Sequence, residues 1–259
     1  MKNENQHFSA DRRKFGRHFW IGAAVAGALS AAVIFTAASA VYRKNRFDLK
    51  IGEEKVGSKE YQLCMDLVKY DVKMEIQKRY DALYGEDFWE QSYEGQYGYE
   101  ILADHTVEKI KYIHVVYDLA EEYGDVSDGS FAAIENGGSR KMQKGRKVED
   151  GEVIYGLKEY TFDLYMQYEI SMYKEIYCND TDRKGMDLTE EEVAEYYSQG
   201  EWVFQDDGEK ADLETARIAV ERELREKKYD AMIAQMTEDL EVSGDLEAVD
   251  RFTLDHLKR

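Results

Sequence analysis

YGYEILADHTVEKIKYIHVVYDLAEEYG, residues 97–124, decides the fold class. Ile101, Val107, Ile110, Ile113, Tyr117 and Ala120, with His114 among them, fall at the spacing of one face of an α-helix. Gly124 supplies the stop, because glycine readily takes the left-handed backbone that ends helices. Working outward, Tyr61, Met65, Val68, Val72, Ile76 and Tyr80 predict a helix over 58–83, with Ser58 as its N-cap. Residues 157–178 predict an aromatic-rich helix, and Leu213, Ala216, Val220, Leu224, Tyr229, Ile233, Met236 and Leu240 predict the longest one, over 211–241. Thr189 followed by Glu192 is a capping-box pattern that opens a short helix ending near Gly200. A further helix over 128–144 is weakened by Gly137 and Gly138.

Between these lie shorter pieces. Phe47 to Ile51 alternates apolar and polar, Gly52-Glu53 turns the chain, and a second short strand ends at Val56. Residues 84–96 read as a loop around Phe88-Trp89, residues 145–156 as polar and glycine-punctuated, and Asp206-Asp207-Gly208 as a turn. Residues 242–259 read as a short extended piece and a loose tail with room for one more helical turn. The fold class is therefore mostly α, with a short N-terminal β-hairpin. The 259 residues contain no proline, so the strongest helix breaker is missing throughout.

Charge limits the partners. Fifty-four acidic side chains against 35 basic ones give a formal net charge of −19. Nucleic acid is excluded as a partner, since phosphate binding is driven by cations. Two cysteines exclude a disulfide-dense scaffold and a four-cysteine zinc site. Cys64 and Cys178 sit on different helices and read either as a disulfide or as two buried thiols.

The N-terminus is a different material. Phe19 to Tyr42 is an uncharged run of about 24 residues, long enough to cross a hydrocarbon core as a helix. Arg12, Arg13, Lys14 and Arg17 cluster before it, which places residues 1–17 in the cytoplasm as a tail and the acidic remainder outside the cell membrane. Residues 18–42 read as a single-pass transmembrane signal-anchor. Ala38-Ser39-Ala40 also fits a signal peptidase site, and cleavage after Ala40 would release the remainder as a secreted protein. Gly22, Ala26 and Gly27 would allow a homodimer through this helix, although an insertion signal with no pairing role explains them as well.

Catalytic patterns are not found. His105 and His114 are too far apart for the i, i+4 pair of a helical zinc site, and His114 on the apolar stripe reads as a hydrogen-bonded core histidine. Glu190, Glu191 and Glu192 suit the positive end of a helix dipole. Neither a phosphate-binding glycine loop nor a GxSxG nucleophile turn is present. No catalytic residue, cofactor or metal site is expected, and the protein reads as a non-enzyme. The aromatic stripe of 157–178 and its neighbours leave Tyr160, Tyr165, Tyr168, Tyr173 and Trp202 as candidate peptide-contacting residues, each with core packing as the plainer alternative.

The order of segments resembles a known family. Gly57-Ser58-Lys59-Glu60-Tyr61 follows the strand pair. Leu119-Ala120-Glu121-Glu122-Tyr123-Gly124 is followed by Val126-Ser127-Asp128. Leu188-Thr189-Glu190-Glu191-Glu192-Val193-Ala194-Glu195-Tyr196-Tyr197 precedes the long helix that opens Leu213-Glu214-Thr215-Ala216-Arg217-Ile218 and runs through Lys227-Lys228-Tyr229-Asp230. This is similar to the SurA N-terminal domain and PrsA-type foldases, over residues 46–242, with 243–259 left as a C-terminal tail. Those proteins carry a parvulin-type prolyl isomerase domain between the last two motifs. Here only Gln199 to Ala211 separate them, so the resemblance implies the helical chaperone module without the isomerase. It implies unfolded or exported polypeptides as clients; the alternative is a membrane-anchored scaffold or assembly factor for one dedicated protein partner.

Overall fold

The computed structural model describes residues 47–146, 161–204 and 209–258. The expected cytoplasmic tail, the 18–42 span, the Ala38-Ser39-Ala40 site, Tyr160 and the Asp206-Asp207-Gly208 turn lie outside the described residues. No helix among the described residues is long and apolar enough to cross a membrane.

The described residues from Asp48 onward form one compact unit. Strands β1 (Leu49–Ile51) and β2 (Glu54–Val56) make the expected hairpin, with Leu49, Ile51 and Val56 buried. Helix α1 (Ser58–Tyr80) follows. Its N-cap is Gly57, one residue earlier than expected. Ser58 makes no capping bond; the Gly57 N–H instead donates to Glu60 at 3.3 Å. The expected loop at 84–96 contains structure too tight for periodicity to show. A 3₁₀ turn (Phe88–Glu90) buries Phe88 and Trp89, and β3 (Ser92–Tyr93) pairs with β4 (Gln96–Tyr97) across Glu94-Gly95.

Helix α2 (Gly98–Glu122) is the centre of this unit. The expected stripe marked only part of it. Leu102, Ala103, Thr106, Val115, Val116 and Leu119 are also buried, so most of its circumference faces protein. Against it pack α1, α4 (Phe162–Asn179), α6 (Leu213–Asp239) and α7 (Leu246–Leu257). Helix α3 (Phe131–Arg146) lies on α4, and α5 (Glu190–Gln199) lies on α6. Thr189 and Glu192 form the expected capping box. Gly137 and Gly138 do not break α3. A Cβ built on Gly137 would lie 2.3 Å from the Tyr165 hydroxyl, so the missing side chain is what lets α4 approach.

The short extended piece expected from residue 242 is present as β5 (Val242–Gly244), which pairs antiparallel with β1 and completes a sheet of order β2-β1-β5. The loose tail expected after it is corrected: Leu246–Leu257 forms the twelve-residue helix α7. Gly244 has φ +126, and a Cβ there would sit 2.3 Å from the Asp48 carbonyl oxygen, so only glycine closes this pair. Helix α7 then buries Ala248, Val249 and Thr253, and the Thr253 hydroxyl lies 2.6 Å from that of Tyr61. The long α6 thus returns the chain to its opening hairpin.

Candidate functional site

Two clefts hold the sequence candidates. The first is built on α4, where Tyr165, Glu169 and Tyr173 follow one another at four-residue steps and share one face. Helix α2 adds Tyr117, whose ring meets that of Tyr173 edge-on at 5.4 Å. The Tyr117 hydroxyl donates to Glu169 Oε2 at 2.8 Å, and Tyr165 also hydrogen-bonds that carboxylate. The α2–α3 loop adds Ser127 and Asp128, and α3 adds Ile134, Asn136 and Gly137. Together they enclose about 460 Å3. Tyr117, Tyr165 and Tyr173 are each no more than 5% exposed, so they form the floor while half-buried Glu169 faces the opening. Burial first, then the Glu169 carboxylate, pushes the Tyr117 and Tyr165 hydroxyls far above the ordinary phenol value, and that of Tyr173 up to about 12. All three remain neutral hydroxyls at physiological pH.

The second cleft follows the seam of α5 and α6. Val193, Trp202, Ala216 and Val220 make a small buried cluster there. The Trp202 Nε1–H donates to the Tyr197 carbonyl at 3.0 Å, and the Tyr197 hydroxyl donates to the Ala211 carbonyl at 2.7 Å. The Ala211 N–H also donates to the Trp202 carbonyl at 2.7 Å, which ties Trp202 in place, and a tight turn closed by the Val203 N–H on the Glu201 carbonyl at 3.2 Å leaves Val203 43% and Phe204 55% exposed. Cavities of about 500 and 300 Å3 share Tyr196, Gln199 and Lys227 and form one groove. Lys227 lies 5.1 Å from the centre of the Tyr196 ring, a cation–π contact.

The sequence candidates are therefore divided. Tyr165 and Tyr173 are brought together, Trp202 lines the other groove at 7% exposure, and Tyr168 stands 48% exposed on α4 without lining either cleft. Tyr160 lies outside the described residues. Sequence reasoning missed Tyr117, Glu169 and Phe204. The i, i+4, i+8 spacing of Tyr165, Glu169 and Tyr173 was a usable signal; Tyr117, far away in sequence, gave none.

His114 lies 2.6 Å from Glu60, as a hydrogen-bonded core histidine should. Burial alone would lower its pKa, but the bond to and charge of Glu60, with Glu54 and Asp118, raise it. Cys64 and Cys178 are free buried thiols, pushed by burial up to about 12 and about 11. No group of three His, Cys, Asp or Glu among the described residues is arranged to hold a metal ion.

A curated relative, named "Chaperone for lacto-N-biosidase", from Bifidobacterium longum subsp. longum, is 27% identical over 214 residues, covering 80% of this chain and 74% of the relative. No family model matches the chain. No solved structure matches it.

Proposed function

We propose that this protein is a chaperone dedicated to one exported client polypeptide, held at the membrane by residues 18–42 with its helical body outside and without prolyl isomerase activity. The carrying observation is the similarity, along 80% of the chain, to a protein whose name joins the word chaperone to a single enzyme. That relation favours a dedicated partner over a general holder of unfolded chains. Lacto-N-biosidase, or an enzyme like it, is the first client to try.

The surface supports the reading. Val203 and Phe204 stand in the open beside Trp202, which its bonds to Tyr197 and Ala211 tie in place. A pre-formed apolar strip binds a chain at lower ordering cost than a flexible one. The net charge of −19 keeps the protein soluble and repels acidic chains, which favours neutral or basic client segments. The layout of the SurA N-terminal and PrsA-type modules, with a closing helix that returns to the opening strands, fits the same role.

Affinity capture of the tagged full chain from cells that export the client tests the proposal. One protein recovered at near-equal stoichiometry supports it. A broad set of unfolded polypeptides would indicate a general holder, and a single folded partner whose active yield does not depend on this chain would indicate a scaffold. A proline-limited refolding assay checks the last clause; acceleration by the full chain would overturn it.

A further inference from the structure

Glu169 is a half-buried carboxylate whose hydrogen bonds come from tyrosine hydroxyls, and no cation among the described residues pairs with it. Two carboxylates that enter the body are matched: Glu60 faces His114 at 2.6 Å, and Asp125 accepts both ends of Arg183 at 2.6 and 2.7 Å, whereas burial, then Glu100 and Asp104, press the carboxyl of half-buried Asp250 upward. A charge drawn into protein is ordinarily paired. Two tyrosine bonds also leave part of the carboxylate's accepting capacity unused. The other charged side chain lining this cleft of about 460 Å3 is Asp128, exposed and equally without a cation partner among the described residues. The cleft is therefore an anionic pocket with a tyrosine floor, and an entering cation would complete it.

We propose that this cleft holds an arginine or lysine side chain of the client polypeptide, with Glu169 as its counter-ion. Tyr117 is the positioning residue, because its hydroxyl fixes the carboxylate from beneath. Tyr165 does the same from α4, and it fits only because Gly137 leaves room for its hydroxyl. Two glycines inside α3 each cost about 1 kcal/mol of helix propensity, and the approach of Tyr165 that builds the cleft floor is what they permit. The inference rests on the chaperone reading for the source of the cation; the pocket's preference for positive charge does not.

The test uses the full chain and a pair of short fluorescein-labelled peptides of alanine, leucine and serine. One carries a central arginine, the other citrulline, which has the same shape without the charge. Fluorescence anisotropy should show the arginine peptide binding about tenfold or more tightly, the scale of a charge-assisted hydrogen bond. Glu169→Gln keeps a carbonyl acceptor for the tyrosines and should abolish that preference, while Tyr117→Phe should reduce it in part. The citrulline comparison on the unaltered protein needs no variant and guards against a folding defect. Free arginine amide should bind far more weakly than the peptide. Equal affinity for the two peptides, no binding of either, an undiminished preference in a folded Glu169→Gln protein, or free arginine amide binding as tightly as the peptide overturns the proposal. None of these results touches the capture experiment, so the chaperone reading stands or falls separately.

Discussion

Replacing Arg183 with methionine should cost this fold a large part of its stability. Arg183 joins two loops that are far apart in sequence. Its guanidinium donates to both Asp125 oxygens at 2.6 and 2.7 Å, and its Nε–H donates to Asp180 at 3.1 Å. The Arg183 and Asp125 side chains are only 7% and 10% exposed, whereas Asp180 is 46% exposed. The rings of Tyr123 and Tyr177 lie 4.9 and 5.3 Å from the guanidinium carbon. The Asp180 contact is a partly solvated pair worth less than about 1 kcal/mol. The main loss comes from Asp125, left as a desolvated charge without a partner, at about 3–5 kcal/mol. At about 2–4 °C per kcal/mol for a domain of this size, Tm should fall by roughly 6–20 °C. Arg183→Lys keeps the charge but lacks the planar fork, and should lie between the two. The deciding variant is Arg183→Met combined with Asp125→Asn, which removes both charges and should recover much of the loss. Calorimetry on the parent, Arg183→Met, Asp125→Asn and the double variant gives the coupling. A single variant melting within about 2 °C of the parent, or a double variant whose loss is the sum of the two singles, would refute the reasoning.

Three other substitutions test the packing. Asp250 is half-buried, and burial, with Glu100 and Asp104 nearby, pushes its carboxyl up to about 6. A raised acid costs the folded state stability as pH climbs from about 4 to about 6, and the full cost stands above that; Asp250→Asn should therefore raise the unfolding free energy at neutral pH, read from urea titration, by about 1–3 kcal/mol and have little effect in acid. His114 has the opposite chemistry. Its raised pKa adds stability that is complete below about 6.5 and lost as pH rises through the folded value, so the urea midpoint of the parent should drop as pH climbs above about 6.5, a drop that His114→Gln removes. Gly244→Ala puts a Cβ against the Asp48 carbonyl in a backbone region that costs about 1–3 kcal/mol, and limited proteolysis should then release the segment after Leu240 first; unchanged protection would remove β5 from the account.

Long helices with one apolar face were legible in the sequence, because a single stripe is a periodic signal. The central helices and the Thr189–Glu192 box came out within a few residues. Helix α2 was underestimated for a physical reason. Leu102, Val115 and Val116 lie off the expected stripe, and only a partner on each side turns them inward. At the C-terminus the short extended piece was legible but its partner was not, because β5 spans three residues and pairs with β1 at the other end of the body. Nothing local in Val242-Ser243-Gly244 announces that pairing. Gly137 and Gly138 read as weak points for a similar reason: the ring that needs their bareness, Tyr165, belongs to another helix. The clefts divide along the same line. Tyr165, Glu169 and Tyr173 share a face that spacing reveals, whereas Tyr117 joins them only through the α2–α4 contact.

The account is tested most directly by titrating the denatured client with the full chain during refolding and measuring the client's recovered activity. A dedicated chaperone raises that activity in proportion to the amount added and levels off near one copy per client, with no gain for an unrelated exported enzyme treated in the same way. An unchanged yield at any ratio, or an equal gain for both enzymes, would contradict it.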